Sequence, residues 1–114
     1  MVNQRAEALV ILEVPVNIPN QKRIAELAAR HRLPTMFPGG WADAGGLITY
    51  GTSIFGTLPS IPQYVHKILK GAKPADLPIG VITQRELIFN LKTANAIDVA
   101  IPSELLKRAD QVIE

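Results

Sequence analysis

The residues best equipped for chemistry stand at the ends of two apolar runs. Thr49-Tyr50-Gly51 ends the short run that Gly45-Gly46 introduces, and Glu13-Val14-Pro15 ends the run over residues 8–14. A hydroxyl, an aromatic ring and free backbone donors suit a small polar or aromatic molecule. In α/β proteins such molecules are met beyond the carboxyl ends of strands. Trp41 lies on the stretch between the two runs and can wall the same crevice. Glu13, Val14, Pro15, Trp41, Thr49, Tyr50 and Gly51 are therefore the candidate ligand-binding residues. The competing reading is that Tyr50 and Trp41 only cap the core.

Other chemistries find little support. Gly39-Gly40 and Gly45-Gly46 lack both the G-x-G-x-x-G spacing and a G-K-[ST] ending, so turn formation explains them better than phosphate binding. His31 and His66 stand alone inside helical patterns, without a second ligand at metal-binding spacing. No cysteine is present, which removes disulfides, thiolate chemistry and zinc knuckles. Ser53, Ser60 and Ser103 lie outside any G-x-S-x-G elbow. The sequence thus predicts no catalytic residue, no metal and no cofactor. A small enzyme or regulator remains a minor alternative, with Glu13, Asp43, Arg85 and Glu86 as scattered ionisable candidates that would have to converge in one pocket.

Charge narrows the partners. Twelve basic and ten acidic side chains leave a formal charge of +2. Nucleic-acid binding needs a denser basic stripe. Lys22, Arg23, Arg30, His31 and Arg32 gather in one region, but the last three sit where a helix should end and complement its dipole. Residues 1–7 carry no export-signal pattern, and no apolar run approaches a membrane span.

The elements that must position the candidates follow from periodicity. With 114 residues, 47% of them hydrophobic, the chain is one globular domain, able to bury roughly two-thirds of its unfolded surface. Residues 8–14 form an apolar run interrupted only by Glu13, which predicts a central strand covered on both faces. Asn17 is placed to cap a helix beginning near Pro19, with Ile24, Leu27 and Ala28 inward. Pro34 forces Leu33 extended and ends that helix near Arg32. Thr35-Met36-Phe37 is the next strand, and the order strand, helix, strand is the βαβ unit of a parallel sheet.

Residues 52–61 read as a loose segment broken by Gly56 and Pro59. A helix starts at Pro62, turns Val65, Ile68 and Leu69 to its apolar side, and is capped by Gly71. Residues 72–80 read as a crossing or hinge linker, rich in proline. Residues 80–91 look extended, and a short helix over residues 92–97 is capped by Asn90 or Thr93. The last element is predicted as a helix, with Pro102 in its first turn and an apolar stripe of Leu105, Leu106, Ala109 and Val112.

Six stretches in this order carry a family resemblance: ALVILEVPV, IAELAARHRLPTMFP, AGGLITYG, YVHKILKGAKPADLP, ELIFNLKTANAI and IPSELLKRADQVIE. Together they resemble the carboxyl-terminal part of ABC transporter substrate-binding proteins, in the group related to aromatic amino acid binding proteins. KILKGAKPADLP and NLKTA are the most specific pieces, and the similarity runs from Ala8 to Glu114. The resemblance implies a type I periplasmic-binding-protein fold, two α/β lobes joined by a multi-stranded hinge with the ligand closed between them. This chain would be the carboxyl-terminal lobe of that fold, a parallel-sheet α/β lobe with a carboxyl-terminal helix.

The family's S-Y-G turn falls on Thr49-Tyr50-Gly51, with threonine keeping the hydroxyl. The loop that often carries an aspartate in relatives falls near Glu13-Val14-Pro15. Residues 52–61 depart from the helix-friendly segment of relatives, being interrupted by Gly56, Pro59 and Pro62 at its end. The implied function is capture of a small organic ligand such as an amino acid and its delivery to a membrane permease, with no bond made or broken. The full-length relative would be periplasmic or extracytoplasmic. A rival expectation is a self-associating fragment, in which lobe-facing apolar surface is buried in a homodimer exchanged through the linker.

Overall fold

Pro34 turns the chain out of its first helix and into the strand on which the sheet is built. The structure, a computed structural model, describes residues 5–52, 58–81 and 83–114. The expectations placed on Ser53 and Gly56 lie outside the described residues. Helix α1 (Gln21–Arg30) follows a 3-10 turn at Ile18–Asn20 that holds Pro19. The Leu33 amide donates to the Ala28 carbonyl at 2.9 Å and the Arg32 amide to the Ala29 carbonyl at 3.0 Å, with Arg32 at φ 51°. That is a Schellman closure with arginine in the left-handed position glycine usually takes. Asn17 does not cap the helix. Its Nδ2 donates to the Leu12 carbonyl at 2.9 Å and ties the preceding loop instead.

Five strands form one sheet in sequence order: β1 (Leu9–Val10), β2 (Thr35–Pro38), β3 (Ile48–Gly51), β4 (Glu86–Asn90) and β5 (Gln111–Ile113). β1, β2 and β3 run parallel, β4 returns antiparallel to β3, and β5 runs parallel to β4. The α/β class and the βαβ unit β1-α1-β2 are as the sequence predicts, in a sheet that is mixed and mostly parallel. Phe37 pairs with Thr49 and Thr49 with Ile88, so the three share one face, while Met36, Ile48 and Phe89 share the other.

The core gathers at two places. On the α1 side, Ile11, Ala25, Phe37, Trp41 and Ala44 pack together, the Phe37 and Trp41 rings 6.0 Å apart. The second cluster, Leu47, Ala94 and Ile97, forms where α3 (Leu91–Ala96) meets the start of β3. The turn before β3 joins them. The Leu47 amide donates to Thr35 Oγ1 at 3.1 Å, the Thr93 hydroxyl to the Gly45 carbonyl at 2.8 Å, and the Asn90 amide to the Leu47 carbonyl at 3.0 Å. Asn90 Oδ1 accepts from the Thr93 amide at 3.1 Å, which is the expected cap of α3.

Two expected elements differ. The run over residues 8–14 is not a central strand covered on both faces. Only Leu9–Val10 pairs, as the first strand of the sheet, and Val10 and Leu12 are 69% and 67% exposed. Nothing among the described residues covers their outer side, which is why the apolar run fails to become a buried strand. The carboxyl-terminal helix is likewise only α4 (Ser103–Leu106), and Val112 belongs to β5. The open flank of β4 decides this: the Asp110 amide donates to the Leu87 carbonyl and the Leu87 amide to Asp110 Oδ2, both at 2.8 Å. The helical spacing of Leu105, Leu106, Ala109 and Val112 is overridden by those ladder bonds.

Helix α2 (Ile61–Leu69) forms with Pro62 in its first turn, and Gly71 at φ 98° follows it. None of its residues is buried. Its tie is to the chain that follows, where the Tyr64 hydroxyl donates to the Pro78 carbonyl at 2.8 Å. The consequence shows in the dimensions. The radius of gyration is 17.9 Å, against about 13 Å for a compact domain of this length.

Candidate functional site

All five strands present one end to the same edge. The carboxyl ends of β1, β2 and β3 lie there, and the antiparallel and parallel pairings of β4 and β5 bring their amino ends to it, Gly51 standing opposite Glu86. Glu13, Val14 and Pro15 occupy the exposed turn beyond β1, which is held by its own hydrogen bonds: the Val14 amide to the Leu12 carbonyl at 3.0 Å and the Asn17 amide to the Val14 carbonyl at 2.9 Å. Tyr50 and Gly51 end β3. β2 separates β1 from β3, so the two groups belong to strands that are not neighbours in the sheet.

Within β3 the alternation divides the candidates. Thr49 is 2% exposed and faces the core beside Phe37 and Ile88, whereas Tyr50 is 42% exposed on the other face, level with Pro38 and Leu87. Trp41, 5% exposed, is packed on Phe37. At the strand edge Glu13, Val14, Pro15, Tyr50 and Gly51 are thus accessible, with Thr49 and Trp41 behind them in the packing. Gly51 has φ 138°, and a Cβ on Gly39 would come within 2.6 Å of the Gly51 backbone, so β2 and β3 leave the sheet in close backbone contact.

Two further features of this region were not placed by the sequence. A polar cleft of about 330 Å³ lies where β4 and β5 begin, lined by Gln84, Arg85, Glu86, Ile88, Asp110 and Gln111. Only the antiparallel return of β4 and the pairing of β5 bring residues 85–86 and 110–111 together, and no local motif announces that. The second is an apolar groove of about 560 Å³ between β1 and α1, walled by Val10, Leu12, Val14, Leu27 and Leu33. It continues the exposed outer side of β1 and has the character of uncovered packing surface. Among the described residues there is no cluster of three histidine, cysteine, aspartate or glutamate side chains able to hold a metal ion. Nor, among them, is any helix long and apolar enough to cross a membrane.

Comparison with known proteins supplies the context for this edge. The family described as ABC transporter substrate binding protein matches residues 2–113. No curated protein matches the chain. A solved structure of a conserved domain protein from Vibrio cholerae superposes with TM-score 0.88 at 19% identity, over 97% of this chain and 38% of its own. A Streptococcus pneumoniae ABC domain in complex with L-Trp gives TM-score 0.84 at 23% identity, over 98% and 38%. The ligand-free, open structure of a Clostridium difficile substrate binding protein with adhesive properties gives 0.58 at 18% identity, over 93% and 36%. The chain thus spans little more than a third of the length of each of these structures.

Proposed function

The chain belongs to the ABC transporter substrate binding protein family, and from that premise we propose that it is the carboxyl-terminal lobe of a two-lobed solute receptor of the type I periplasmic-binding-protein kind. The family match over nearly the whole chain carries the reading. Such a receptor captures a small organic ligand, such as an amino acid, outside the cytoplasm and hands it to a membrane permease without chemical change. The L-Trp held by the Streptococcus pneumoniae relative supports the ligand class. Here the ligand meets the exposed turn of Glu13, Val14 and Pro15 and the β3 terminus at Tyr50 and Gly51, while Thr49 and Trp41 hold those backbones in place.

The surface supports a lobe that meets another body. The chain exposes 8578 Å², about 2,400 Å² more than a compact monomer of its mass. One side of a standard protein interface covers about 800 Å². Apolar side chains on this surface include Ile61, Val65 and Ile68 of α2, each 43% exposed or more, and Ile79 and Val81 on the return to β4. Residues 72–80, between α2 and β4, are then the hinge crossing, and α2 packs on the other lobe. A second copy of this chain can cover the same surface, which makes homodimerisation the companion expectation for the chain by itself.

Selectivity in this scheme comes from closure: a ligand shifts the receptor only by its difference in affinity for the open and closed states. A single lobe has half the contacts and nothing to close on, so its own affinity lies in the millimolar range, about −4 kcal/mol. Titrating the isotope-labelled chain with a panel of amino acids, read by amide chemical shifts, tests the reading. Shifts at residues 13–15 and 50–51 at millimolar concentrations support it. Silence at those residues throughout the panel, or binding tighter than micromolar, contradicts it.

A further inference from the structure

Helix α2 and the chain that returns from it are tied together at one side chain. Tyr64 is the half-buried residue of a helix that is otherwise exposed. Its hydroxyl donates to the Pro78 carbonyl at 2.8 Å and so joins positions 14 residues apart in the chain. Gly80 leaves the room this requires, since a Cβ there would stand 2.9 Å from the Tyr64 hydroxyl oxygen and 3.9 Å from Cζ. Lys67, one helical turn further on, holds its ammonium group 6.0 Å from the centroid of the same ring, at the limit of a cation–π contact.

The chain between the two ends of this bond has little freedom of its own. α2 closes with the Gly71 amide on the Ile68 carbonyl at 2.9 Å and the Ala72 amide on the Lys67 carbonyl at 3.0 Å. A 3-10 turn at Pro74–Asp76 follows, tied by the Asp76 amide to the Lys73 carbonyl at 2.9 Å and the Leu77 amide to the Pro74 carbonyl at 3.3 Å. Pro74 and Pro78 fix φ at two further points. We infer that Tyr64 is a latch that makes residues 64–80 one rigid arm, so that the crossing spans without bending. The inference deepens the solute-receptor reading and rests on it only for what the arm does. Hinge closure turns on a few residues that absorb the change in φ and ψ, and the latch puts those residues outside 64–80. Tyr64 is then a positioning residue, which sets the angle between α2 and the crossing and acts through the crossing rather than on the ligand.

The test is backbone amide relaxation, read by NMR on the 114-residue chain, comparing the parent with Tyr64→Phe, Gly80→Ala and the two combined. In the parent, the amides of residues 79 and 80 should share the order parameter of α2, about 0.85 as for rigid backbone. Tyr64→Phe removes only the hydroxyl and should bring both amides below about 0.6, the flexible range. Gly80 is not among the glycines with positive φ, so alanine meets no backbone penalty there. Its methyl group instead displaces the Tyr64 hydroxyl, and Gly80→Ala should produce the same fall. Added to Tyr64→Phe it should change nothing more, because Cζ at 3.9 Å is an ordinary contact. Neither residue belongs to a core cluster, so unchanged thermal melts will confirm that each variant folds.

Three results would each overturn the latch: residues 79 and 80 already mobile in the parent, the same two amides as ordered in Tyr64→Phe as in the parent, or a Gly80→Ala effect that is equal with and without the hydroxyl. The two readings fail separately. A mobile crossing together with amino-acid shifts at residues 13–15 and 50–51 sinks the latch and leaves the receptor reading standing. A rigid crossing that Tyr64→Phe loosens, without any such shifts, does the reverse.

Discussion

Adding one methyl group at Gly46 should unseat the ring at the centre of the fold. A Cβ built there falls 2.0 Å from Phe37 Cδ2 and 2.5 Å from Cε2, well inside van der Waals contact. Phe37 cannot yield easily, being 1% exposed and packed on Trp41 across 6.0 Å. Nor can the turn, because the adjacent Gly45 carbonyl and Leu47 amide are tied to Thr93 and Thr35. Gly46 is not among the residues with positive φ, so alanine meets no backbone penalty and the cost is steric alone. Overpacking of this kind costs about 1–3 kcal/mol, and the close contact with a fully buried ring puts Gly46→Ala at about 3 kcal/mol. For a domain of this size that lowers the melting temperature by roughly 10–20 °C. Urea melts followed by tryptophan fluorescence report both the loss and the displacement of Trp41. Adding Phe37→Leu to Gly46→Ala should recover part of the loss by making room. A Gly46→Ala protein within 0.5 kcal/mol of the parent would refute the packing argument.

Other perturbations follow from particular bonds. Thr35→Val keeps the shape but leaves the buried Leu47 amide without its acceptor, and should cost about 1–3 kcal/mol in chemical denaturation. Arg32→Gly and Asp98→Gly, at φ 51° and 61°, relieve a left-handed penalty of about 1–2 kcal/mol while giving back about 0.5–1 kcal/mol of chain entropy. Each should therefore raise stability by about 0.5–1 kcal/mol, and a lower urea midpoint for either would contradict the helix-closure reading. Asn90→Ala should lose about 1 kcal/mol through the α3 cap, with an accompanying fall in helicity by circular dichroism.

What the sequence made legible was local. Pro34, which ends the first helix, placed β2 at Thr35-Met36-Phe37, and of the two caps offered for α3, Asn90 or Thr93, the structure uses Asn90. Two helix ends were legible, that of α1 through Pro34 and that of α2 through Gly71. α1, α2 and α3 all close through the same pair of backbone bonds, yet only Gly71 takes the left-handed position with glycine, while Arg32 and Asp98 take it at the other two. The edge position of β1 was not legible, since an apolar run reads the same whether or not its cover is present. Nor was β5, because Leu105, Leu106, Ala109 and Val112 satisfy a helical period and only the flank of β4 reassigns Val112 to a strand. The candidate site divided along the same line. Tyr50 and Gly51 were placed by a local pattern, whereas Arg85, Glu86 and Asp110 converge only through an antiparallel return that no short motif encodes.

The central claim is that this fold is one lobe, with α2 shaped to lie on another body. Sedimentation across a wide range of concentration, comparing the parent with Ile61→Gln, Val65→Gln and Ile68→Gln combined, tests it most directly. The account predicts concentration-dependent self-association of the parent and a folded monomer for the triple variant, since those side chains are exposed and belong to neither core cluster. A parent that stays monomeric at every concentration would contradict the self-association, and a triple variant that unfolds would show that α2 is held by its own chain.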